Sequence, residues 1–81
     1  AIEFLKKSVE MGDVDSMVNL GIIYHEGEDK VEKNIDLSIK YFRMASEKGN
    51  LNAHKSLSQI FIEQNNYPEA VEFLKKSVEM G

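Results

Sequence analysis

The two histidines have the widest chemical repertoire of any side chains in this chain, since imidazole can ligate zinc or transfer protons near neutral pH. His25 and His54 fall in different segments with helical spacing. A structural zinc site needs about four ligands held in a preformed shell. The chain has no cysteine, and neither histidine has a second ligand near it in the sequence. We therefore predict two solvated histidines and no metal site.

The carboxylates suggest two further kinds of chemistry, and neither set is complete. Asp13-x-Asp15 is similar to the start of a calcium-binding loop, but the required Gly and the distal bidentate Glu are missing. Helix capping is the better interpretation of these aspartates. Glu26, Glu28 and Asp29 could form an acid/base pair, but they lie in a polar connection without the burial that tunes such groups. A solvated loop is therefore predicted there.

No other catalytic arrangement can be assembled from the chain, whether a Ser/His/Asp set, a phosphate-binding Gly loop or a nucleotide motif. The sequence thus predicts no catalytic residue and no cofactor. The net charge of −4 gives no basic footprint for nucleic acid or an anionic membrane. No apolar run approaches the roughly 20 residues that span a bilayer. We expect proteins or peptides as partners, with no nucleic acid and no membrane insertion.

The elements that must position these side chains repeat along the chain of 81 residues. Residues 1–12 return almost unchanged as residues 70–81, and only Ile2 and Val71 differ. A third copy occupies residues 38–49. Self-similarity at such spacing is typical of solenoids, in which each unit buries its apolar face only against its neighbours.

A second type of segment fills the gaps between these copies. Residues 13–24 and 50–61 match each other, and their apolar residues recur at three- and four-residue spacing, which predicts amphipathic helices. We name these segments A helices and the terminal-type segments B helices. The predicted fold is all-α, an α/α superhelix (solenoid) of antiparallel helix pairs with five helices in the order B-A-B-A-B.

Polar residues and glycines mark the predicted helix ends. Three side chains can accept a hydrogen bond from an orphan backbone N–H as N-caps, and these are Asp13, Asn34 and Asn50. Pro68 and Glu69 suit the first turn of the last helix. A Gly follows each B helix, where a left-handed residue ends a helix at least cost, and these are Gly12, Gly49 and Gly81.

A family resemblance rests on the first full repeat. The chain resembles a Sel1-like repeat at Leu20-Gly21-x-x-Tyr24-x-x-Gly27, Tyr41-Phe42 and Ala45-Ser46-Glu47-x-Gly49. Residues 50–81 lack the long loop and are closer in pattern to a tetratricopeptide repeat. We therefore divide the chain into helix B of a preceding repeat (1–12), a Sel1-like repeat (13–49) and a Sel1/tetratricopeptide-like repeat (50–81). The resemblance implies a non-catalytic scaffold or adaptor for protein–protein interaction.

Small, aromatic and Met residues define the predicted packing. Gly21 and Ser58 lie where each A helix should cross the B helix of its own repeat, and a large side chain would hold the pair apart. The aromatic residues expected in the core are Phe4, Tyr24, Tyr41, Phe61 and Phe73. The residues expected to fill gaps between helices are Met11, Met17, Met44 and Met80. The outer faces of the first and last B helices should be partly exposed, since each lacks one neighbour.

In arrays of this kind the A helices line the concave face, so the resemblance also implies a partner-binding groove. Its predicted residues are Asp15, Val18, Asn19, Ile22 and Glu26 on the first A helix and Asn52, Lys55, Ser56, Gln59 and Glu63 on the second. We call these ten residues the groove. Val18 and Ile22 would supply an apolar anchor. Asn19, Lys55 and Gln59 could hydrogen-bond an extended peptide or a partner helix.

Two alternatives to this function stay open. In the first, the chain is a structural segment that self-assembles through its exposed end helices. These helices could stack head to tail and form an open filament instead of a closed ring. In the second, it is an enzyme, because some Sel1-like proteins have been linked to hydrolase activity. No convergent polar cluster in the sequence supports the second alternative.

The start of the chain bears on its context. It begins without Met and inside a predicted helix, so we expect a window of a longer array, with an A helix before residue 1 and another after residue 81. The compartment stays open, with the cytoplasm as the default, since there is no cysteine and no visible signal peptide.

Overall fold

Five helices make up this computed structural model, which describes residues 2–28 and 30–80, without the side chains of residues 73, 74 and 76–80. The helices are α1 Ile2–Glu10, α2 Val14–Glu26, α3 Ile35–Glu47, α4 Leu51–Glu63 and α5 Tyr67–Met80. Each helix packs on the next along the chain, most extensively within the α2–α3 and α4–α5 pairs. α2 and α4 are the predicted A helices, and the other three are B helices. The predicted all-α solenoid in the order B-A-B-A-B is confirmed.

Two of the three predicted side-chain caps are confirmed. The backbone N–H of Leu37 donates to Asn34 Oδ1 at 3.1 Å, and that of Ala53 donates to Asn50 Oδ1 at 2.9 Å. Asp13 occupies the N-cap position of α2 but makes no side-chain cap bond. Its carboxylate instead accepts the Ser16 hydroxyl at 2.6 Å. The hydroxyl competes with the backbone for the carboxylate, so the predicted cap is wrong in this detail.

The turns between helices depend on residues with positive φ. Gly12 and Gly49 end α1 and α3 with φ of 88° and 90°, as predicted. The predicted stop at Gly81 lies outside the described residues. In the α2–α3 loop, Glu28 and Val31 exchange backbone hydrogen bonds of 2.8 and 3.0 Å and form an isolated bridge. This bridge turns a polar connection into a tight loop and leaves Val31 packed against the core.

Gly21 sets the distance between α2 and α3. A Cβ atom added there would lie 2.8 Å from ring carbons of Phe42, which is buried on α3. The side chain of Ser38, also on α3, is fully buried, and its hydroxyl donates to the Gly21 carbonyl oxygen at 2.7 Å. The prediction that a small residue permits this helix crossing is confirmed. Ser58 is buried at the equivalent position of α4 and donates its hydroxyl to a carbonyl oxygen of its own helix.

The aromatic residues divide between core and surface. Tyr24 and Phe61 are buried as predicted, and Tyr41 is half-buried with its ring stacked on Tyr24 at 5.9 Å. Phe4 is 72% exposed, so its prediction as a core residue is wrong. α1 packs chiefly on α2, and the Phe4 side chain lies on its solvent-exposed side. The side chain of Phe73 lies outside the described residues.

The methionines also divide between buried and exposed positions. Met17 is buried and Met44 is half-buried against the core, as predicted for gap-filling residues. Met11 is 88% exposed, so its predicted role is wrong. It lies in the turn after α1. The side chain of Met80 is not among those described.

Candidate interaction groove

The groove lies along α2 and α4, which run in the same direction because each is antiparallel to the intervening α3. The inward stripe of each helix packs in the core, where Leu20 of α2 and Leu57 of α4 are fully buried. The groove positions on each helix are separated by three or four residues or are adjacent, which places them together on another face. Eight of the ten are exposed, and Val18 and Ser56 are half-buried.

A pocket of about 190 Å³ lies between the two helices in their carboxyl-terminal halves. The residues that line it are Ile22, His25 and Glu26 of α2, Phe42 of α3, and Ser56, Gln59 and Ile60 of α4. Four of the predicted groove residues therefore meet at one place. The five groove residues nearer the amino-terminal ends of the helices lie outside the pocket, namely Asp15, Val18, Asn19, Asn52 and Lys55.

An ionisable contact joins α2 and α4 beside the pocket. His25 Nε2 lies 3.4 Å from Glu63 Oε1, and the two side chains are 31% and 48% exposed. Glu63 is thereby connected to the pocket, although it does not line it. The contact is an ion pair only when the imidazole is protonated, and exposed pairs of this kind contribute about 0–1 kcal/mol. It links the carboxyl-terminal turns of the two A helices.

His25 was therefore missed as a groove residue. The sequence prediction of a solvated side chain does not hold, because His25 is half-buried and has a partner on the next A helix. The available signal was its spacing, since His25 follows Ile22 by three positions and so borders the same helix face. Phe42 and Ile60 were missed because they are core residues whose side chains reach the floor of the pocket.

His54 is buried, with 4% of its surface exposed, so its prediction as a solvated residue is wrong. It precedes Leu57 by three positions and Phe61 by seven, which places it on the inward stripe of α4. That spacing was the signal that could have identified its burial. His54 and His25 therefore belong to different faces of their helices, and they do not meet at one site.

The charges of the groove are distributed unevenly. Glu26 and Glu63 are the last residues of α2 and α4, where the unsatisfied carbonyl groups give a helix its negative end. Toward the amino-terminal ends, the carboxylate of Asp15 and the ammonium group of Lys55 are both exposed and opposite in sign. The pocket end of the groove is thus the negative end.

The described residues contain neither a metal-ligand cluster nor a membrane-spanning helix. Among residues 2–28 and 30–80, no three His, Cys, Asp or Glu side chains are grouped closely enough to hold a metal ion. Within the same ranges, no helix is both long and apolar enough to cross a bilayer.

Repeated antiparallel helix pairs with the A helices side by side define an α-solenoid repeat protein. Two solved structures are similar over 99% of this chain. One is c5321 of uropathogenic Escherichia coli, described as a protective antigen with an SLR fold (TM-score 0.85, 28% identity). The other is a Sel1 repeat protein from Oxalobacter formigenes (TM-score 0.83, 26% identity). This chain spans 18% and 34% of those two proteins, respectively.

The sequence profile of the Sel1 repeat matches residues 1–13, 14–50 and 57–81, and the chain belongs to this family. The resemblance inferred from the sequence is thereby confirmed. Sel1 repeats are generally non-catalytic scaffolds for protein–protein interaction. A search of curated protein sequences finds no match. The repeat boundaries drawn above, and the tetratricopeptide-like character of residues 50–81, stay predictions.

Proposed function

We propose that this chain is a non-catalytic adaptor segment that binds a partner protein or peptide in the groove along α2 and α4. The observation that carries the proposal is the pocket between the two helices. Its floor is apolar, with Phe42 and Ile60 buried, while Ile22 is 42% exposed at its edge. Ser56, Gln59 and Glu26 supply hydrogen-bonding groups around it. Binding sites commonly combine apolar walls with a few convergent polar groups in this way.

The dimensions favour a polypeptide over a small molecule. Sites for drug-sized ligands have volumes of about 300–1,000 Å³, whereas this pocket has about 190 Å³. α2 and α4 each contain 13 residues, so the groove extends along helices that are roughly 20 Å long at 1.5 Å per residue. A long shallow groove with one small pocket suits a segment that inserts a single side chain and lies along the rest.

The groove is also preorganised. The residues behind it are packed, with Leu20 and Leu57 fully buried and the α2–α3 crossing fixed by Gly21 and Ser38. A partner therefore does not have to order these helices on binding, which lowers the entropic cost of association.

The test uses peptides displayed on phage as a random dodecapeptide library, selected on the immobilised chain. We expect clones whose binding falls at least about tenfold when Ile22→Ser is combined with Lys55→Gln, because one change removes the apolar edge of the pocket and the other removes a groove charge. The matched control is Val71→Ser with Lys75→Gln on α5, where both side chains are exposed outside the groove. Circular dichroism verifies that both variants remain helical. Selected clones that bind the groove variant as well as the original chain would remove the groove from consideration.

One observation favours a second candidate function, end-to-end self-association through the terminal helices. Phe4 is 72% exposed, and it borders a shallow pocket of about 940 Å³ that Ile2, Leu5 and Val31 also line. A second copy docked there would cover this apolar surface. Light scattering over a concentration series tests the idea, with Phe4→Ser expected to reduce the apparent mass. A chain that stays monomeric at high concentration rejects it.

A further inference from the structure

We propose that the groove selects partner segments in which a Lys or Arg lies close to an aliphatic or aromatic residue. The apolar side chain would enter the pocket between α2 and α4, and the cation would lie beside Glu26 and Glu63. The inference rests on the function proposed above and adds the chemistry of the partner.

The pocket has the size and lining for one apolar side chain. A cavity of about 150 Å³ is enough to hold a benzene molecule, and this pocket has about 190 Å³. Phe42 and Ile60 are each 3% exposed and form its floor, and Ile22 lies at its edge. An apolar side chain that enters the pocket would be removed from water, and it would contact residues that the core already holds in place.

The carboxylates around the pocket are available to a cation. Glu26 is exposed and makes no ion pair with any described residue. Glu63 is 48% exposed, and among the described residues its one ion-pair contact is with the imidazole of His25. Both carboxylates end their helices, where the helix dipole adds negative potential and a cation gains about 0.3–1 kcal/mol. A lysine or arginine of the partner would therefore meet two carboxylates and two helix ends at once.

The rest of the groove offers no comparable attraction. Asp15 and Lys55, nearer the amino-terminal ends of α2 and α4, are of opposite sign and offset each other. Glu10 and Glu47 also end helices, but α1 and α3 run in the opposite direction, so these residues lie at the other edge of the molecule. The preference for a cation is thus local to the pocket end, and it sets the direction in which a partner segment lies.

The experiment compares random dodecapeptide selections on the original chain and on a variant with Glu26→Gln and Glu63→Gln. The matched control is Glu47→Gln, the same change at the last residue of α3. We expect clones that depend on Ile22 to be enriched in Lys or Arg within two residues of an apolar side chain. For such a clone, synthesised as a fluorescent peptide, the double variant should bind roughly three- to tenfold more weakly. Glu47→Gln should bind it unchanged, and replacing its cation by Gln should abolish the difference between variants.

Three outcomes are distinguishable. Enrichment of cations that depends on Glu26 and Glu63 supports the inference. Clones that depend on Ile22 but show no cation preference, or that bind the double variant as tightly, overturn the inference and leave the groove function standing. A selection in which no clone depends on Ile22 rejects the groove function, and the inference falls with it.

Discussion

Gly21 is the residue on which the packing of α2 against α3 depends most directly. Its missing Cβ lets the Phe42 ring approach the helix backbone, and the Ser38 hydroxyl reaches the Gly21 carbonyl oxygen. Phe42 in turn forms the floor of the pocket between α2 and α4. A residue without a side chain therefore helps to position a ring that lines the pocket.

Gly21→Ala tests this packing, because helix propensity and steric fit predict opposite signs. Propensity alone favours Ala in a helix by about 0.5–1 kcal/mol. The added methyl would lie 2.8 Å from a buried ring, and overpacking of this kind costs about 1–3 kcal/mol. We expect a net loss in the free energy of unfolding, measured by urea denaturation.

The matched control for this change is Ser58→Ala at the equivalent position of α4. It removes only a hydroxyl that bonds within its own helix, so we expect a change within about 1 kcal/mol. If Gly21→Ala increased stability, the close approach to Phe42 would not be the reason for the glycine.

Phe4 and Tyr41 occupy equivalent positions in two B helices, yet their surroundings differ. Phe4 is 72% exposed, so Phe4→Ala should change the free energy of unfolding by no more than about 0.5 kcal/mol. Tyr41 is half-buried and stacked on Tyr24, so Tyr41→Ala should cost about 1–3 kcal/mol. Urea titrations of the two variants provide the comparison, and equal losses would contradict the account.

These residues also show where sequence reasoning reached its limit. The helical spacing of Phe4 and Tyr41 is the same, and only the presence or absence of a covering helix separates them. His54 was misplaced for a different reason, since its polar type outweighed its spacing from Leu57 and Phe61. Gly21 was predicted correctly because its effect follows from size alone.

A side chain that can accept hydrogen bonds precedes each A helix, but the donor that it accepts differs between the two. Asn50 accepts the Ala53 N–H at the start of α4, whereas the Asp13 carboxylate at the start of α2 accepts the Ser16 hydroxyl. The order and approximate limits of the helices followed from spacing and from Gly stops. The donor that each cap side chain accepts could not be predicted from spacing, because several donors lie within reach of one short side chain.

The caps give a prediction at the scale of the helix. Asn50→Ala should lower the free energy of unfolding by about 1 kcal/mol, because it leaves the Ala53 N–H without its side-chain acceptor. When both variants are measured at about 0.5 M NaCl, Asp13→Ala should lower the free energy of unfolding by less than Asn50→Ala does. Screening at that salt concentration weakens the favourable contact between a carboxylate and a helix amino terminus. Denaturation curves at that salt concentration check both values. A larger loss for Asp13→Ala would show that the Asp13–Ser16 contact stabilises α2 more than a backbone cap does.

The α2–α3 loop marks a second limit at this scale. The sequence predicted a solvated polar connection, and the Glu28–Val31 bridge instead turns Val31 inward. The pairing depends on backbone hydrogen bonds within the loop, which leave no periodic signal in the side chains.

At the scale of the whole molecule, α2 and α4 both border one pocket, and four of the ten predicted groove residues line it. The resemblance to Sel1 repeats predicted an outward face on α2 and α4, and eight of the ten residues predicted for it are exposed. It did not predict the pocket, because Phe42 and Ile60 enter it from the core and His25 joins α2 to α4 through Glu63. The pocket therefore depends on α2, α3 and α4 together.

Amide chemical-shift mapping with a selected dodecapeptide tests most directly whether a partner binds along α2 and α4 as proposed. Titration of the peptide into isotopically labelled protein should shift the amides of α2 and α4, with the largest changes from Ile22 to Glu26 and from Ser56 to Glu63. The outward faces of α1 and α5 should show little change. Shifts concentrated around Phe4 and Val71 instead would place binding at the ends of the solenoid and contradict the account.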